Sequence, residues 1–328
     1  MRAMILAAGL GTRMRPLSDL RAKPAIPVRG RPVVSLLLEL LARQGCREVM
    51  INLHHLPETI RVAIEADHPA ALEIHFSEEP KPLGTGGGIR RAAEFLRESE
   101  ACIVMAGDML LDIPLRELFE RHLASGRPAT LLLRRDSRDR NFGTIGVDAS
   151  GTVNRIGQIR LGGADHRESA GGDETSRGLF TGVRFFSREV LDNWPGDAAD
   201  ESFEDLRDWL IPGIETRGER VGAEFVDADS SVWEPVGTPA EYLRINLFPP
   251  SLPTLGGSAE HWGGEIDVVG EHADVIVSRK AIVPANALLE RCVVWDGEQV
   301  PSGCHRHDGV FAGGAFRSCL VAATEKIH

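Results

Sequence analysis

A chain of 328 residues, 42% of them hydrophobic, can bury one large core and a smaller one. No apolar run reaches the roughly 18 to 20 residues that span a bilayer, and the glycine-broken start MRAMILAAGLGTRM lacks a secretory apolar region, so the sequence predicts a cytoplasmic protein without a membrane partner. A net charge of −11 excludes a general nucleic-acid binder, yet residues 1–31 carry seven basic residues against one acid, Asp19. That makes +6 there and −17 over the rest, a cationic mouth suited to a small polyanion.

In chain order, apolar runs bounded by turn residues alternate with amphipathic stretches, the pattern of an α/β sheet with crossover helices. MRAMILAA reads as a buried strand, Val33 to Gln44 as a helix, REVMINL as a strand, and Pro57 to Glu65 as a helix opened by its proline. LEIHFSEE, ACIVMAGD and PATLLLRR are further strands, separated by helices over Gly88 to Glu98 and Pro114 to Ser125. After Asn141 the pattern turns antiparallel: GTIGVD and TVNRIGQ flank the hairpin signal Ala149, Ser150, Gly151. Gly162 to Gly178 is polar and glycine-rich and predicts a mobile loop. LFTGVRFF and GAEFVD are strands around a helix that includes Phe203 to Ile211, and Thr238, Pro239 and Glu241 cap a helix running to about Asn246.

Four prolines between Phe248 and Gly257 predict a linker, dividing the chain into residues 1–247, 248–257 and 258–328. The last part spaces its aliphatic residues at five- to six-residue intervals, as in a hexapeptide solenoid, whose open ends favour packing on the first domain or on a second copy. The five cysteines include no CxxC pair, so neither a disulfide framework nor a zinc ribbon is predicted, and Cys304, His305 and His307 read as a polar turn. His54 and His55, at a strand-to-helix turn, read as solvated loop residues.

The chemistry concentrates in GLGTRMRPLSDLRAKPAIPV, Gly9 to Val28, directly after the first strand. Glycines there let backbone N–H groups approach phosphate closely, and Arg13 and Lys23 can neutralise the charge. A dinucleotide fingerprint fails twice, at Met14 and at Asn52, which disfavours a NAD-linked oxidoreductase; the GK[ST] of a P-loop is absent as well.

This segment closely resembles the signature loop of the sugar-1-phosphate nucleotidyltransferases, the NDP-sugar pyrophosphorylases. The resemblance continues through PLGTGGGIRRA from Pro82, MAGD ending at Asp108, TIGVD after Gly143, FTGVRFF from Phe180 and VGTPAEYLRIN from Val236. It implies a Rossmann-like mixed sheet followed by a short left-handed β-helix like that of GDP-mannose and ADP-glucose pyrophosphorylases, a possible route to homo-oligomers. It further implies that Arg13, Lys23 and Asp108 are catalytic and that Asp108 holds Mg²⁺. Leu6, Ala8, Gly9, Gly11, Thr12, Glu79, Gly84 and Thr85 would hold the NTP, and Gly143, Thr181, Gly182 and Arg160 the sugar-1-phosphate. The sugar phosphate is mostly dianionic at neutral pH, so no Ser/His/Asp set is needed to activate it.

Two departures accompany the resemblance. The family's second magnesium aspartate falls on Pro235, leaving Glu234, Asp227 or Asp229 as substitutes, of which Glu234 is the first choice; alternatively Asp108 and the phosphates hold the ion alone, or activity is lost. The family's Glu-Lys pair at the sugar phosphate is also missing, with Arg155 or Arg160 as replacements. Glu79 could accept from guanine N1–H and N2–H₂, so GTP with a mannose- or heptose-1-phosphate is expected. The alternatives are a UTP- or dTTP-dependent transferase and a catalytically silent NDP-sugar-binding protein.

Overall fold

Every residue of Ala3, Met4 and Ile5 is fully buried, and the two faces of that strand enter different cores: Ala3 and Ile5 join one apolar cluster and Met4 the other. A strand buried on both faces must lie inside a sheet covered on both sides. The computed structural model describes residues 1–140, 144–161, 173–194, 202–210, 220–270 and 274–319.

The elements are β1 (Arg2–Leu6), β2 (Pro27–Val28), β3 (Arg31–Pro32), α1 (Val33–Arg43), β4 (Glu48–Leu53), α2 (Pro57–Ala66), β5 (Glu73–Glu78), α3 (Gly84–Leu96), β6 (Ala101–Ala106), β7 (Met109–Asp112), α4 (Leu115–Ser125), β8 (Ala129–Arg135), β9 (Thr144–Val147), β10 (Val153–Ile156), β11 (Ile159–Arg160), β12 (Ser176–Ser187) and α5 (Arg188–Asp192). After these come β13 (Gly222–Asp227), β14 (Val232–Pro235), α6 (Pro239–Leu247), α7 (Ala259–Trp262), β15 (Ile266–Val269), β16 (Val275–Ser278), β17 (Leu288–Val294), β18 (His305–Ala312) and β19 (Ala315–Ser318). Among the described residues no helix is long and apolar enough to cross a membrane.

The main sheet runs β11-β10-β9-β12-β6-β1-β4-β5, with β8 paired to β12 and β13 to β8. Strands β6, β1, β4 and β5 are mutually parallel, as the crossover pattern predicts, and β12 joins β6 antiparallel. The sheet is therefore mixed, and the carboxyl ends of β6, β1 and β4 open along one edge, where α/β folds bind ligands. The hairpin of β9 and β10 forms as expected, its turn held by the Asp148 carboxylate accepting from Ser150 N at 2.8 Å and Thr152 N at 3.0 Å.

Several boundaries differ from expectation. Helix α3 opens at Gly84, four residues before Gly88, because its glycines pack against Phe203; a Cβ on Gly86 would lie 2.3 Å from that ring. The helix expected around Phe203 to Ile211 is π-helical over Asp205–Leu210. Residues 162–172 of the expected mobile loop lie outside the described residues, and Ser176 to Gly178 are strand β12. The proline-rich segment is not a loose tether: Leu252 and Leu255 are buried, and Asp112 accepts from Thr254 N at 2.7 Å and Thr254 Oγ1 at 2.6 Å.

The C-terminal strands form one sheet, β15-β16-β17-β18-β19. Strands β16, β17 and β18 are parallel with a constant step: Val275 faces Cys292 and Cys292 faces Gly309, 17 residues each time. A second parallel bridge, Ile282 to Gln299, keeps the same step. Antiparallel β15 and β19 close both edges of this stack, a feature that the aliphatic spacing did not signal.

Candidate active site

At the carboxyl end of β1 the chain leaves the sheet through Gly9 and winds through three single-turn 3₁₀ helices, Thr12–Met14, Leu17–Asp19 and Lys23–Ala25. Gly11 makes the first reversal at φ 62°, and a Cβ there would approach the Ser18 side chain to 3.0 Å. The Ser18 hydroxyl donates to Gly11 O at 2.8 Å, closing the loop on itself. Its burial of Met14 and Leu17 anchors the loop, while Arg13 stays exposed.

Lys23 is only 8% exposed, a cost that the Asp108 carboxylate offsets through an ion pair between Lys23 Nζ and Asp108 Oδ2. Asp108 follows β6 and keeps 38% of its side chain exposed, so it faces solvent and the lysine together. The two residues line one cleft of about 510 Å³ with Arg13. Leu6, Ala8, Gly9, Gly11, Thr12, Glu79, Gly84 and Thr85 line the same cleft. The fold thus brings together all eleven of these positions from three stretches of the chain, 6–23, 79–85 and 108.

Asn52, which disqualified a dinucleotide fingerprint, is a buried organiser of this cleft. Its Oδ1 accepts from Ala7 N at 2.7 Å and its Nδ2 donates to Glu79 Oε1 at 2.7 Å. Glu79 Oε2 accepts from Leu83 N at 3.0 Å, and His54 Nδ1 lies 2.8 Å from Glu79 O. His55 Nε2 lies 2.8 Å from Ser18 O. Both histidines are therefore half-buried braces of the loops rather than free solvated side chains.

The opposite wall is built by β12. Phe180 pairs with Leu133 of β8 but Arg184 with Leu131, two residues out of register, and Gly182 sits at φ 81° within this bulge. Phe180, Gly182 and Arg184 line the cleft, and Glu204 joins them. Thr85 Oγ1 lies 2.6 Å from both Glu204 Oε2 and Asp205 Oδ1, and Asp205 Oδ2 pairs with Arg184 Nε at 2.6 Å. Arg184 is 2% exposed and its Nη2 has no hydrogen-bond partner among the described residues. Neither Arg184 nor Glu204 was foreseen; the even spacing of Phe180, Gly182 and Arg184 on one strand is the signal that could have found the arginine.

Other expected positions lie elsewhere. Thr181, 1% exposed, is not among the residues that line the cleft, and its hydroxyl donates to Leu132 O at 2.9 Å. Gly143 lies outside the described residues, and Arg160 is on β11 at the far edge of the sheet, its side chain also outside them. Arg155 is consumed by Glu174 at 2.6 Å and by Thr144 and Gly157 carbonyls. Asp227 pairs with Arg135 at 3.1 Å, and Asp229 is exposed beyond β13; neither lines the cleft.

Glu234, expected as a metal ligand, is engaged by two arginines. Its carboxylate pairs with Arg244 at 2.6 Å and Arg138 at 3.2 Å, outside the cleft. Arg138 also donates to Asp136, holding that carboxyl below its usual range. Among the described residues the one trio of metal-type side chains is Glu48, Glu73 and His75. Glu48 and Glu73 begin β4 and β5, at the opposite ends of the strands from the cleft, and Glu48 is already held by Arg2 at 2.6 Å.

A backbone-rich loop, two cations and a carboxylate at the carboxyl edge of a mixed α/β sheet define a phosphate-handling cleft of the nucleotide-binding class. Residues 2–250 match the family described as Nucleotidyl transferase, and the chain belongs to that family. It is 29% identical to a mannose-1-phosphate guanylyltransferase of Mycobacterium tuberculosis, over 92% of this chain and 82% of that protein. A UTP–glucose-1-phosphate uridylyltransferase of Synechocystis is 30% identical, over 65% of this chain and 56% of that protein. HddC from Yersinia pseudotuberculosis, solved with GMP-PN, shares the fold with a TM-score of 0.59 at 23% identity, covering 75% of this chain and 97% of that one.

Proposed function

We propose that the chain transfers a nucleoside monophosphate from an NTP to a sugar-1-phosphate, releasing pyrophosphate, with GTP and a mannose- or heptose-1-phosphate as the pair. The observation that carries this reading is that Arg13, Lys23 and Asp108 line one cleft with the glycine loop. The reaction brings two anions together, so its main requirements are alignment and neutralisation of charge at the reacting phosphate.

Each part of the cleft has a role in that scheme. Backbone N–H groups of Gly9 to Thr12 supply fixed donors to the triphosphate, and exposed Arg13 neutralises the departing pyrophosphate. Lys23, held by Asp108, places one more positive charge at the reacting phosphate. Asp108 and the nucleotide phosphates would hold Mg²⁺, which suits an ion that binds through one or two carboxylates plus phosphates and water. The donor set fits, since Asp108 lines the cleft with 38% of its side chain exposed and meets the lysine through Oδ2. When bound, the ion supplies charge stabilisation at the phosphates.

Guanine fits the opposite corner. Asn52 and Leu83 take one acceptor position on each Glu79 oxygen, and a carboxylate offers about four, so both oxygens keep capacity for N1–H and N2–H₂. The guanylyltransferase relative agrees with this choice, whereas the Synechocystis relative keeps UTP as the alternative.

The test is pyrophosphate release measured across NTPs and sugar-1-phosphates, with and without Mg²⁺. GTP with mannose- or heptose-1-phosphate is expected to give the highest kcat/KM, and Asp108→Ala to lower it by about 10³-fold or more. Tight NDP-sugar binding without pyrophosphate release from any pair would instead identify a silent binding protein.

A further inference from the structure

The loop that carries Lys23 is a wall between two depressions. Lys23 and Pro24 line the catalytic cleft, while Arg21, Ala25 and Pro27 line a groove of about 780 Å³ on the other side. The far side of that groove is C-terminal sheet, including Trp295 and Asp296 just after β17. The loop consists of single 3₁₀ turns, which carry few internal hydrogen bonds, so its position must be fixed from outside.

The C-terminal sheet supplies much of that fixation. Arg21 Nη2 donates to Asp296 Oδ1 at 2.7 Å, and its guanidinium carbon lies 4.8 Å from the centre of the Trp295 ring. Trp295 is 3% exposed, and its Nε1 donates to Tyr242 OH at 2.9 Å, which donates on to Pro27 O at 2.8 Å. The Leu20 side chain fills the space that a Cβ on Gly313 would need, 2.7 Å away. The chain is thus gripped at Leu20, Arg21 and Pro27, on both sides of Lys23.

We propose that Arg21 is a positioning residue, through which Trp295 and Asp296 of the C-terminal sheet set the Lys23 ammonium against Asp108. The sheet is then a working part of the active site rather than an appendage. This inference rests on the proposed phosphate chemistry of Lys23, and the experiment separates the two.

In Arg21→Met, kcat is expected to fall about ten-fold or more, because a displacement of about 1 Å at a reacting group can cost 10²-fold. KM for both substrates stays within about three-fold, since the glycine donors that hold the triphosphate precede the displaced turn. Arg21→Lys, which keeps a cation over Trp295, recovers most of kcat. Arg279→Met removes an exposed pair with Asp267 in the same sheet and is the unaffected control.

A readout independent of turnover uses the four lysines of the chain, Lys23, Lys81, Lys280 and Lys326. Acylation followed by mass spectrometry is expected to show Lys23 protected relative to Lys81, and that protection lost in Arg21→Met. Absence of pyrophosphate release in the wild type would overturn the proposed function while the labelling still decides the brace. Unchanged Lys23 labelling in Arg21→Met, even with a lowered Tm, would overturn the brace and leave Arg21 a merely structural residue.

Discussion

The two walls of the cleft are built on opposite plans. The β1 wall is continuous: Gly9, Gly11, Thr12, Arg13 and Lys23 come from one stretch of 15 residues, and its lining groups are backbone donors, the exposed Arg13 and the buried Lys23. The β12 wall is assembled at long range, from Phe180, Gly182 and Arg184 on a bulged strand and Glu204 on a segment packed against the start of α3. The first wall leaves Arg13 exposed and pairs Lys23 with Asp108 of the same cleft, whereas the second ties most of its own polar groups together through Thr85, Asp205 and Arg184. A wall of the first kind accepts any triphosphate; one of the second kind has a fixed shape and suits discrimination between sugars.

The sharpest way to break that contrast is Arg184. The buried Arg184 guanidinium keeps an Nη2 with no hydrogen-bond partner among the described residues, a donor that a ligand acceptor would satisfy, and the sheet order puts β12 on the side of β6 away from β1 and Glu79. Arg184→Met is expected to raise KM for the sugar-1-phosphate about 30-fold, the loss of one charge-assisted hydrogen bond of about 2 kcal/mol, with KM for the NTP within about three-fold. The single variant also strands Asp205, which is 3% exposed, so Arg184→Met/Asp205→Asn is the cleaner measurement of binding. If the NTP constant alone moves, Arg184 belongs to the nucleotide and the division of the cleft is wrong.

The same contrast explains what sequence reasoning reached. The β1 wall was legible because its chemistry is local: the glycines, Arg13 and Lys23 are close neighbours, and the turns need no distant partner to be recognised. The parallel strands and the hairpin after Asn141 were legible for the same reason, since period and turn residues are local signals. Alternation along β12 turns Thr181 toward Leu132 rather than into the cleft lining, and the bulge at Gly182 cannot be read from composition. Glu204 escaped notice because it meets Thr85 across 119 residues of chain, and Arg184 because it pairs with Asp205 beside Glu204, contacts that no window on the sequence contains. The prolines after Phe248 signal a lack of regular structure, not a lack of packing, and Asp112 and a buried Leu252 hold that segment down.

A second measurement separates ligand-shaped from packing-shaped glycines. A Cβ on Gly9 would meet nothing within 4 Å, whereas one on Gly86 would strike Phe203. Gly9→Ala is therefore expected to leave Tm within about 1 °C while raising KM for the NTP about ten-fold, because the methyl stands where the phosphates approach the backbone. A large fall in Tm with unchanged KM would show that the β1 wall is held by packing, like the β12 wall, and would remove the distinction.

The smallest effect is expected at Glu234, and its smallness is informative. Strand β14 does reach Asp108: Pro235 pairs with Met109, and Val236 N donates to Asp108 O at 2.9 Å. A residue beside Pro235 is therefore close enough in backbone terms to serve the ion, yet the Glu234 side chain is directed to Arg138 and Arg244. Both pairs are partly exposed, so Glu234→Gln should cost less than about 1 kcal/mol of stability and shift the Mg²⁺ concentration for half-maximal activity by less than about two-fold. A ten-fold rise in that requirement would mean that Glu234 abandons its arginines when nucleotide and metal bind. Asp108 would then share the ion with a second protein carboxylate, and the site would differ from the single-carboxylate arrangement that Pro235 leaves behind.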